Sequence, residues 1–215
     1  MLEIGVTGYR LQVMVTVKFF IFGLFETNTY VVRDEQGNAL LVDPACYSEY
    51  DKQVLSRYVE LEKLNIRAII ATHGHLDHLW GAKWATEKWG LPVMVHEADI
   101  PMVKAMQQQY NMFGIRRTAE VFPMERLGVS GLGVSGLEVI ETPGHTPGSV
   151  CLYWPEEKVL LSGDTLFRMG YGRTDLPGGN MGQLVASLDR LFALPVDTLV
   201  YPGHGEITTI GQEAR

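Results

Sequence analysis

The stretch ATHGHLDHLWG, residues 71 to 81, sets His73, His75, Asp77 and His78 within six positions of a 215-residue chain that has six histidines in all. Imidazole nitrogen and carboxylate oxygen together are a donor set for zinc, iron and manganese. On a helix, residues two apart lie about 200° from each other around the axis. His73 and His75 can therefore meet one ion only from extended or loop backbone, which the intervening Gly74 permits. Asp77 and His78 are adjacent, point in different directions, and suit a second ion better.

Three further segments repeat the habit. His145 lies in ETPGHTPGS after the apolar run LEVI, Asp164 in LSGDTLF after KVLL, and His204 in VYPGHGE after DTLV. Each follows a strand-like run and has a glycine beside it, which lets the chain turn sharply at the strand end. A lone histidine on a loop is ordinarily a solvated side chain, but four strand ends of one design predict one shared rim. Five histidines and two aspartates exceed the four donors of a tetrahedral zinc site and fit two metals that share a carboxylate. His96, the sixth histidine, has no glycine neighbour and opens the acidic HEAD, so it reads as a structural or capping residue. Trp80, Trp84 and Trp89 read as helix packing with no cofactor implied, and Cys46 in VDPACYS as a small packed residue near the rim.

The elements that must position these residues show as apolar runs. VMVTVKFFIF, TYVVRD and NALLVDP predict three successive strands with a turn at Gln36, Gly37 and Asn38. A helix is expected over 49–64, with Val54, Leu55, Tyr58, Val59 and Leu61 on one apolar stripe. IRAIIAT is a short buried strand that runs into the first histidine. Helices over 78–89 and about 97–109 flank a strand over 92–95, and residues 110–136, with the tandem GVSGLGVSGL, read as loop. Strands are expected at 137–142, 149–154 and 158–162, then a helix at 181–193 and a last strand at 197–201. Strands and helices interleave in two similar halves with no linker between them. That pattern predicts two sheets with helices outside, in one domain spanning 1–215 whose first 13 residues are a ragged extension.

Composition excludes some function classes. A formal charge of −7 argues against a nucleic-acid-binding surface, which needs a basic stripe, while 46% hydrophobic and 20% charged residues are ordinary for a globular protein. LQVMVTVKFFIFGLF is broken by Lys18, is too short and alternating to span a bilayer, and precedes no cleavage site, so no membrane segment or signal peptide is expected. Cys46 and Cys151 form neither a disulfide framework nor a CxxC pair, which points to a reducing, cytoplasmic setting. Nothing in the sequence speaks to oligomeric state.

In combination the motifs are familiar. THGHLDH resembles the HxHxDH signature of the metallo-β-lactamase superfamily. PGHTPGS, SGDTLF and YPGHGEITTIG resemble its later ligand segments, in the same order, over roughly residues 14–212. Within the superfamily the chain looks most like the glyoxalase II-like branch, in a short form without the C-terminal helical domain. The resemblance implies a four-layer αββα sandwich with the site at one edge of both sheets. It implies two divalent metal ions, zinc foremost and iron or manganese as alternatives. One would be held by His73, His75 and His145 and the other by Asp77, His78 and His204, with Asp164 as the bridge. It further implies a metal-bridging hydroxide as nucleophile, Asp77 as a catalytic residue that orients it, and Asp43 in LVDP as the aspartate behind the ligands that fixes their orientation.

The branches differ in reaction. Zinc β-lactamases with a signal peptide carry a cysteine where Asp164 stands, the nucleic-acid-processing branch needs a large inserted domain, and flavo-diiron proteins need a flavodoxin domain. A persulfide dioxygenase shares a GRTD stretch like Gly172 to Asp175, but binds one iron through two histidines and an aspartate and ends in a PAHDY-like segment instead of YPGHGEITT. The favoured reading is a hydrolase of a small thioester, with S-lactoylglutathione a candidate substrate. A mononuclear iron persulfide dioxygenase is the alternative, and a non-catalytic metal-binding protein the third. Arg173 stands where the long form of glyoxalase II has a basic glutathione-contacting residue, and so is the candidate substrate contact. An Arg173–Asp175 ion pair is the competing reading.

Overall fold

Strands whose side chains alternate between two packed faces build this protein from the middle outward. The computed structural model describes residues 15–128 and 132–214. The extension expected over 1–13 and residues 129–131 of GVSGLGVSGL lie outside the described residues. The chain opens with the meander β1 (Thr16–Phe22), β2 (Thr27–Arg33) and β3 (Asn38–Val42), then α1 (Glu49–Leu61), β4 (Asn65–Ile70), α2 (Ala82–Trp89) and β5 (Val93–Val95). Two short helices, α3 (Ile100–Lys104) and α4 (Met106–Met112), lead to β6 (Met124–Arg126). The second half runs β7 (Glu138–Glu141), β8 (Val150–Trp154), β9 (Val159–Gly163), a small hairpin of β10 (Leu166–Phe167) and β11 (Gly170–Tyr171), and α5 (Met181–Phe192). It closes with β12 (Leu199–Pro202), β13 (Thr208–Thr209) and α6 (Ile210–Glu213).

The first sheet has the order β1-β2-β3-β4-β5-β6, antiparallel up to β3 and parallel beyond it. The second has the order β13-β12-β9-β8-β7, with β9 and β12 parallel. Side chains on a strand alternate faces. Tyr30, Val32, Leu40, Val42 and Ile70 therefore meet Val150, Leu152, Trp154 and Leu161 in one core between the sheets. Their neighbours Val31, Leu41 and Ile69 face outward against Leu55 of α1, Ala85 of α2 and Met106 of α4. Tyr153, Leu160 and Val200 face Leu184, Leu188 and Leu191 of α5. The layers are helix, sheet, sheet, helix, so the αββα sandwich expected from the motifs is the architecture. Among the described residues no helix is long and apolar enough to cross a membrane.

Several local expectations need correction. The helix expected over 78–89 is a 3-10 turn at Leu76–Leu79 followed by α2. Gly81 separates them: its N–H donates to Pro44 O at 2.7 Å, and a Cβ there would lie 2.9 Å from the Cβ of Cys46. The helix expected over 97–109 is three pieces, a 3-10 turn at Glu97–Asp99, then α3 with Pro101 in its first turn, then α4 after a break at Ala105. The stretch 110–136 is not all loop, because α4 runs to Met112 and β6 pairs in parallel with β5. Three residues are too few for a periodic signal. Leu61, placed on the buried stripe of α1, is exposed. His96 caps its 3-10 turn, its Nδ1 accepting from the Ala98 N–H. Trp84 and Trp89 pack edge to face on each other, while Trp80 sits ahead of α2 against Tyr47 and Phe25.

Candidate metal centre

Every chemistry-bearing loop leaves the same edge of the sandwich. The segment after β4 carries His73 and His75, that after β9 Asp164, that after β12 His204, and the loop between β7 and β8 carries His145. The rim is stitched across the sheets by backbone bonds, Val150 N to Thr72 O at 2.9 Å and Asn28 N to Gly203 O at 2.7 Å, and within the second sheet by Gly203 N to Gly163 O at 2.7 Å. A crevice at the carboxyl ends of parallel strands is where sheets of this kind bind ligands.

All seven motif residues converge. The donor atoms of His73, His75 and His145 lie within 4.8 Å of one another, and so do those of Asp77, His78 and His204. Asp164 lies between the groups, with Oδ1 at 3.4 Å from His78 Nε2, and Oδ2 at 3.5 Å from His145 Nε2 and 3.6 Å from His204 Nε2. Asp164 fits so close because Gly203 has no side chain; a Cβ there would sit 2.1 Å from Oδ1. The backbone of His75 is extended (φ −76°, ψ 149°), the form the HxH spacing requires. Asp77 and His78 sit in the following 3-10 turn.

The protein fixes which ring nitrogen is free on four of the five site histidines. His73 Nδ1 lies 3.1 Å from Thr72 Oγ1, whose own proton goes to Asp43 Oδ2 at 2.8 Å, so Nδ1–H is the donor. His78 Nδ1–H donates to Asp43 Oδ2 at 2.9 Å, His145 Nδ1–H to Arg173 O at 2.7 Å, and His204 Nδ1–H to Phe25 O at 2.9 Å. Each of these four rings therefore keeps its Nε2 lone pair for the centre. The ring nitrogens crowd together: His75 Nδ1 is 3.1 Å from His73 Nε2 and 2.9 Å from His145 Nε2, and His78 Nε2 is 3.3 Å from His204 Nε2. Nitrogens packed this closely take a proton or a metal cation between them. Asp164 Oδ1, buried with no hydrogen-bond partner, is a further unsatisfied acceptor of the kind a metal satisfies. The donor set fits a dinuclear metal site.

Electrostatics follow from burial and from the carboxylates. Burial, then His145, pushes His75 down to about 3, and burial together with His78 and His75 lowers His73. Burial also works against charge on His78, but Asp77, Asp43 and Asp164 outweigh it and hold the ring well above the usual imidazole range. His204 is raised too, because its bond to Asp77 and the charge of Asp164 exceed the cost of burial. For Asp77 and Asp164 burial would raise the carboxyl, yet His78 and His204 bring both below the usual range.

Asp43 is buried behind the ligands in the left-handed region (φ 52°), a conformation aspartate tolerates better than most residues. Besides His78, its carboxylate accepts from Thr72 N at 2.7 Å, so one side chain orients both His73 and His78. Arg173 lines the cleft, but its Nε and Nη2 are both taken by Asp175 at 2.6 Å, the competing pairing considered above. Cys46 is buried, and burial raises its thiol.

Sequence reasoning misses three supporting residues. Asp99, fully buried, accepts from Gly74 N at 2.8 Å, Gly148 N at 2.7 Å and Thr146 Oγ1 at 2.6 Å. It thus clamps the two loops that carry His73, His75 and His145. Gln109 spans the same loop, accepting from Leu76 N and donating to Gly74 O, both at 3.0 Å. Thr27 at the start of β2 donates to Asp77 Oδ2 at 2.9 Å. Thr27 and Gln109 lie in stretches without a motif, and Asp99 reads from sequence as an ordinary helix-start acid.

An αββα sandwich with a histidine–aspartate centre at its strand ends is the scaffold of a metal-dependent hydrolase. The model of the metallo-beta-lactamase superfamily matches residues 22–204, and the chain belongs to that superfamily. Among its relatives, the hydroxyacylglutathione hydrolase GloC of Haemophilus influenzae is 34% identical over 197 residues, 89% of this chain and 91% of GloC. The crystal structure of TTHA1623 in a di-iron-bound form superposes with a TM-score of 0.82 at 37% identity, covering 93% of this chain and 98% of that one. The BLEG-1 B3 metallo-beta-lactamase superposes with a TM-score of 0.82 at 33% identity, covering 92% and 95%.

Proposed function

We propose that this protein is a dinuclear metal hydrolase that cleaves a small thioester, of which S-lactoylglutathione is one candidate. The observation that carries the reading is the set of four histidines whose protons are turned outward to Asp43, Thr72, Arg173 and Phe25 so that their lone pairs face Asp164. His73, His75 and His145 would hold one ion, Asp77, His78 and His204 the other, and Asp164 both. Zinc is the first choice, with iron or manganese as alternatives; the di-iron form of TTHA1623 keeps iron in view. The similarity to GloC supports the thioester.

When bound, the two cations supply a water acidified toward neutral pH and Lewis acidity for the developing oxyanion. The chain does the rest. Asp43 and Thr72 hold His78 and His73 in their tautomers. Thr27 and His204 both engage Asp77 Oδ2, at 2.9 and 3.2 Å, which leaves Oδ1 to accept a hydrogen bond from the attacking water and orient it. Phe25, Phe113 and Leu176 line the cleft and limit the water that reaches the carbonyl. Arg173 is the cation at the cleft available to a substrate carboxylate, through the part of its guanidinium that Asp175 does not take. We read the chain as one domain acting in the cytoplasm, where the buried, free Cys46 and Cys151 stay reduced.

A hydrolase of this kind needs no oxidant, so zinc-loaded protein should release thiol from S-lactoylglutathione or a related thioester under anaerobic conditions. Elemental analysis of the same preparation should approach two metals per chain. Oxygen uptake with glutathione persulfide, seen only with iron and without thioesterase activity in any metal form, would replace this reading with the dioxygenase one. Similarity to BLEG-1 makes a β-lactam the second substrate to include in the screen.

A further inference from the structure

A second pocket, of about 150 Å³, opens beside the metal cleft of about 240 Å³, and the two share His75, Phe113 and Leu176 as a common wall. The rest of its lining is Met102, Ala105, Met112 and Pro177, with the amides of Gln108 and Gln109. No charged residue lines it. Gln109 offers little to a ligand, because its oxygen accepts from Leu76 N and its nitrogen donates to the carbonyls of Gly74 and Met102. An apolar cavity of about 150 Å³ holds one benzene-sized molecule.

We propose that this pocket is the subsite for an apolar acyl chain of about six heavy atoms on the thioester. The proposal rests on the hydrolase reading and deepens it by naming the substrate class. A thioester carbonyl carries two substituents. Arg173 lines the cleft but not the side pocket, so an anionic thiol carrier belongs on the Arg173 side. The acyl chain then turns past the His75 ring, between Phe113 and Leu176, into the methionine-lined space. Unbranched, polarizable methionines adapt to chains of differing shape. A short hydroxylated acyl group such as lactoyl fills little of this space, most of whose wall is Met102, Ala105, Met112, Phe113, Leu176 and Pro177.

The test compares acetyl, butyryl, hexanoyl and phenylacetyl thioesters of one thiol on the zinc-loaded protein. Each methylene taken out of water is worth roughly three- to fourfold in transition-state binding. Because the pocket is partly open, kcat/KM should rise by at least about tenfold in all from acetyl to hexanoyl. Ala105→Phe, which fills the pocket, should bring the hexanoyl-to-acetyl ratio close to one. Met112→Gln, a change at an exposed position that threatens folding less, should lower the same ratio. A second readout needs no turnover: methyl butyl ketone, but not acetone, should shift the ε-methyl resonances of labelled Met102 and Met112. Hydrolysis indifferent to chain length, with unmoved methionine resonances, overturns the subsite and leaves the hydrolase standing. Shifted resonances with no thioester cleaved in any metal form support the subsite and overturn the thioesterase.

Discussion

The two halves of the centre are built from different chemistry. His73, His75 and His145 offer three imidazoles, whereas Asp77, His78 and His204 include a carboxylate and have a second, Asp43, behind His78. In the first group burial and mutual repulsion keep His73 and His75 neutral, the latter down to about 3. In the second, the carboxylates overcome burial and raise His78 and His204. The first group is held by the Thr72 hydroxyl, the Arg173 carbonyl and the Asp99 carboxylate that ties its two loops together. The second attracts positive charge whether it comes as a proton or as a metal. Asp164 belongs to both, and substitutions should sort accordingly.

The largest effect is expected at the shared residue. Asp164→Ala removes the one carboxylate within 3.6 Å of histidines from both groups. It should weaken both metal equivalents by more than the roughly 10- to 100-fold that loss of an outer partner costs, and abolish hydrolysis. His75→Ala should cost one equivalent and spare the other. Elemental analysis of the two variants decides this: equal metal loss in both would remove Asp164 from its place between the groups.

Asp99→Asn tests the clamp on the first group alone. The variant keeps the shape but turns one acceptor oxygen into a donor, facing either the N–H of Gly148 or the N–H of Gly74 and the hydroxyl of Thr146. The equivalent that His75→Ala loses should weaken about 10- to 100-fold, and the other should hold. Chelator competition that shows both equivalents weakened alike would mean the two halves are not independently supported.

The site was far more legible in the sequence than its support. The candidate ligands sit in short motifs next to glycines, and the HxH spacing alone demands extended backbone, which His75 adopts. The apolar runs TYVVRD and NALLVDP likewise predict successive strands, and β2 and β3 lie there. Asp99, by contrast, acts on residues 25 and 49 positions away, a relation no local pattern encodes. The break at Gly81 has the same origin, since Pro44 and Cys46, distant in sequence, pack where its side chain would be. β6 is three residues long and owes its existence to the edge that β5 presents.

Acid should separate the halves. An imidazole with a raised pKa carries a proton at pH values below that pKa, and a metal must displace it. Affinity for the second equivalent should therefore fall as pH drops through the usual imidazole range and above it. Burial and the neighbouring imidazoles hold His73 and His75 low, the latter down to about 3, so over the same range the first equivalent should change less. Calorimetry in buffers of different ionisation enthalpy should find more proton release with the second equivalent than with the first. Equal release from both would erase the electrostatic distinction.

The smallest expected effect sharpens the comparison most finely. Thr27 donates to Asp77 Oδ2 at 2.9 Å from the first residue of β2, and its backbone bridges to His204, so it supports the second group on both sides. Thr27→Val keeps the branched shape suited to a strand and the backbone bridge, and removes only the hydroxyl. A hydrogen bond to a charged group is worth about 1.5–3 kcal/mol, but His204 also contacts the same oxygen at 3.2 Å and a bound cation would share its charge. The second equivalent should thus weaken by only about tenfold or less, the opposite selectivity to Asp99→Asn. Because Oδ2 loses an anchor, Asp77 should also orient its water less well, and kcat should fall a few-fold with KM nearly unchanged. If Thr27→Val instead weakened the equivalent that His75→Ala removes, Asp77 would belong with the first group, and the division of the centre would have to be redrawn.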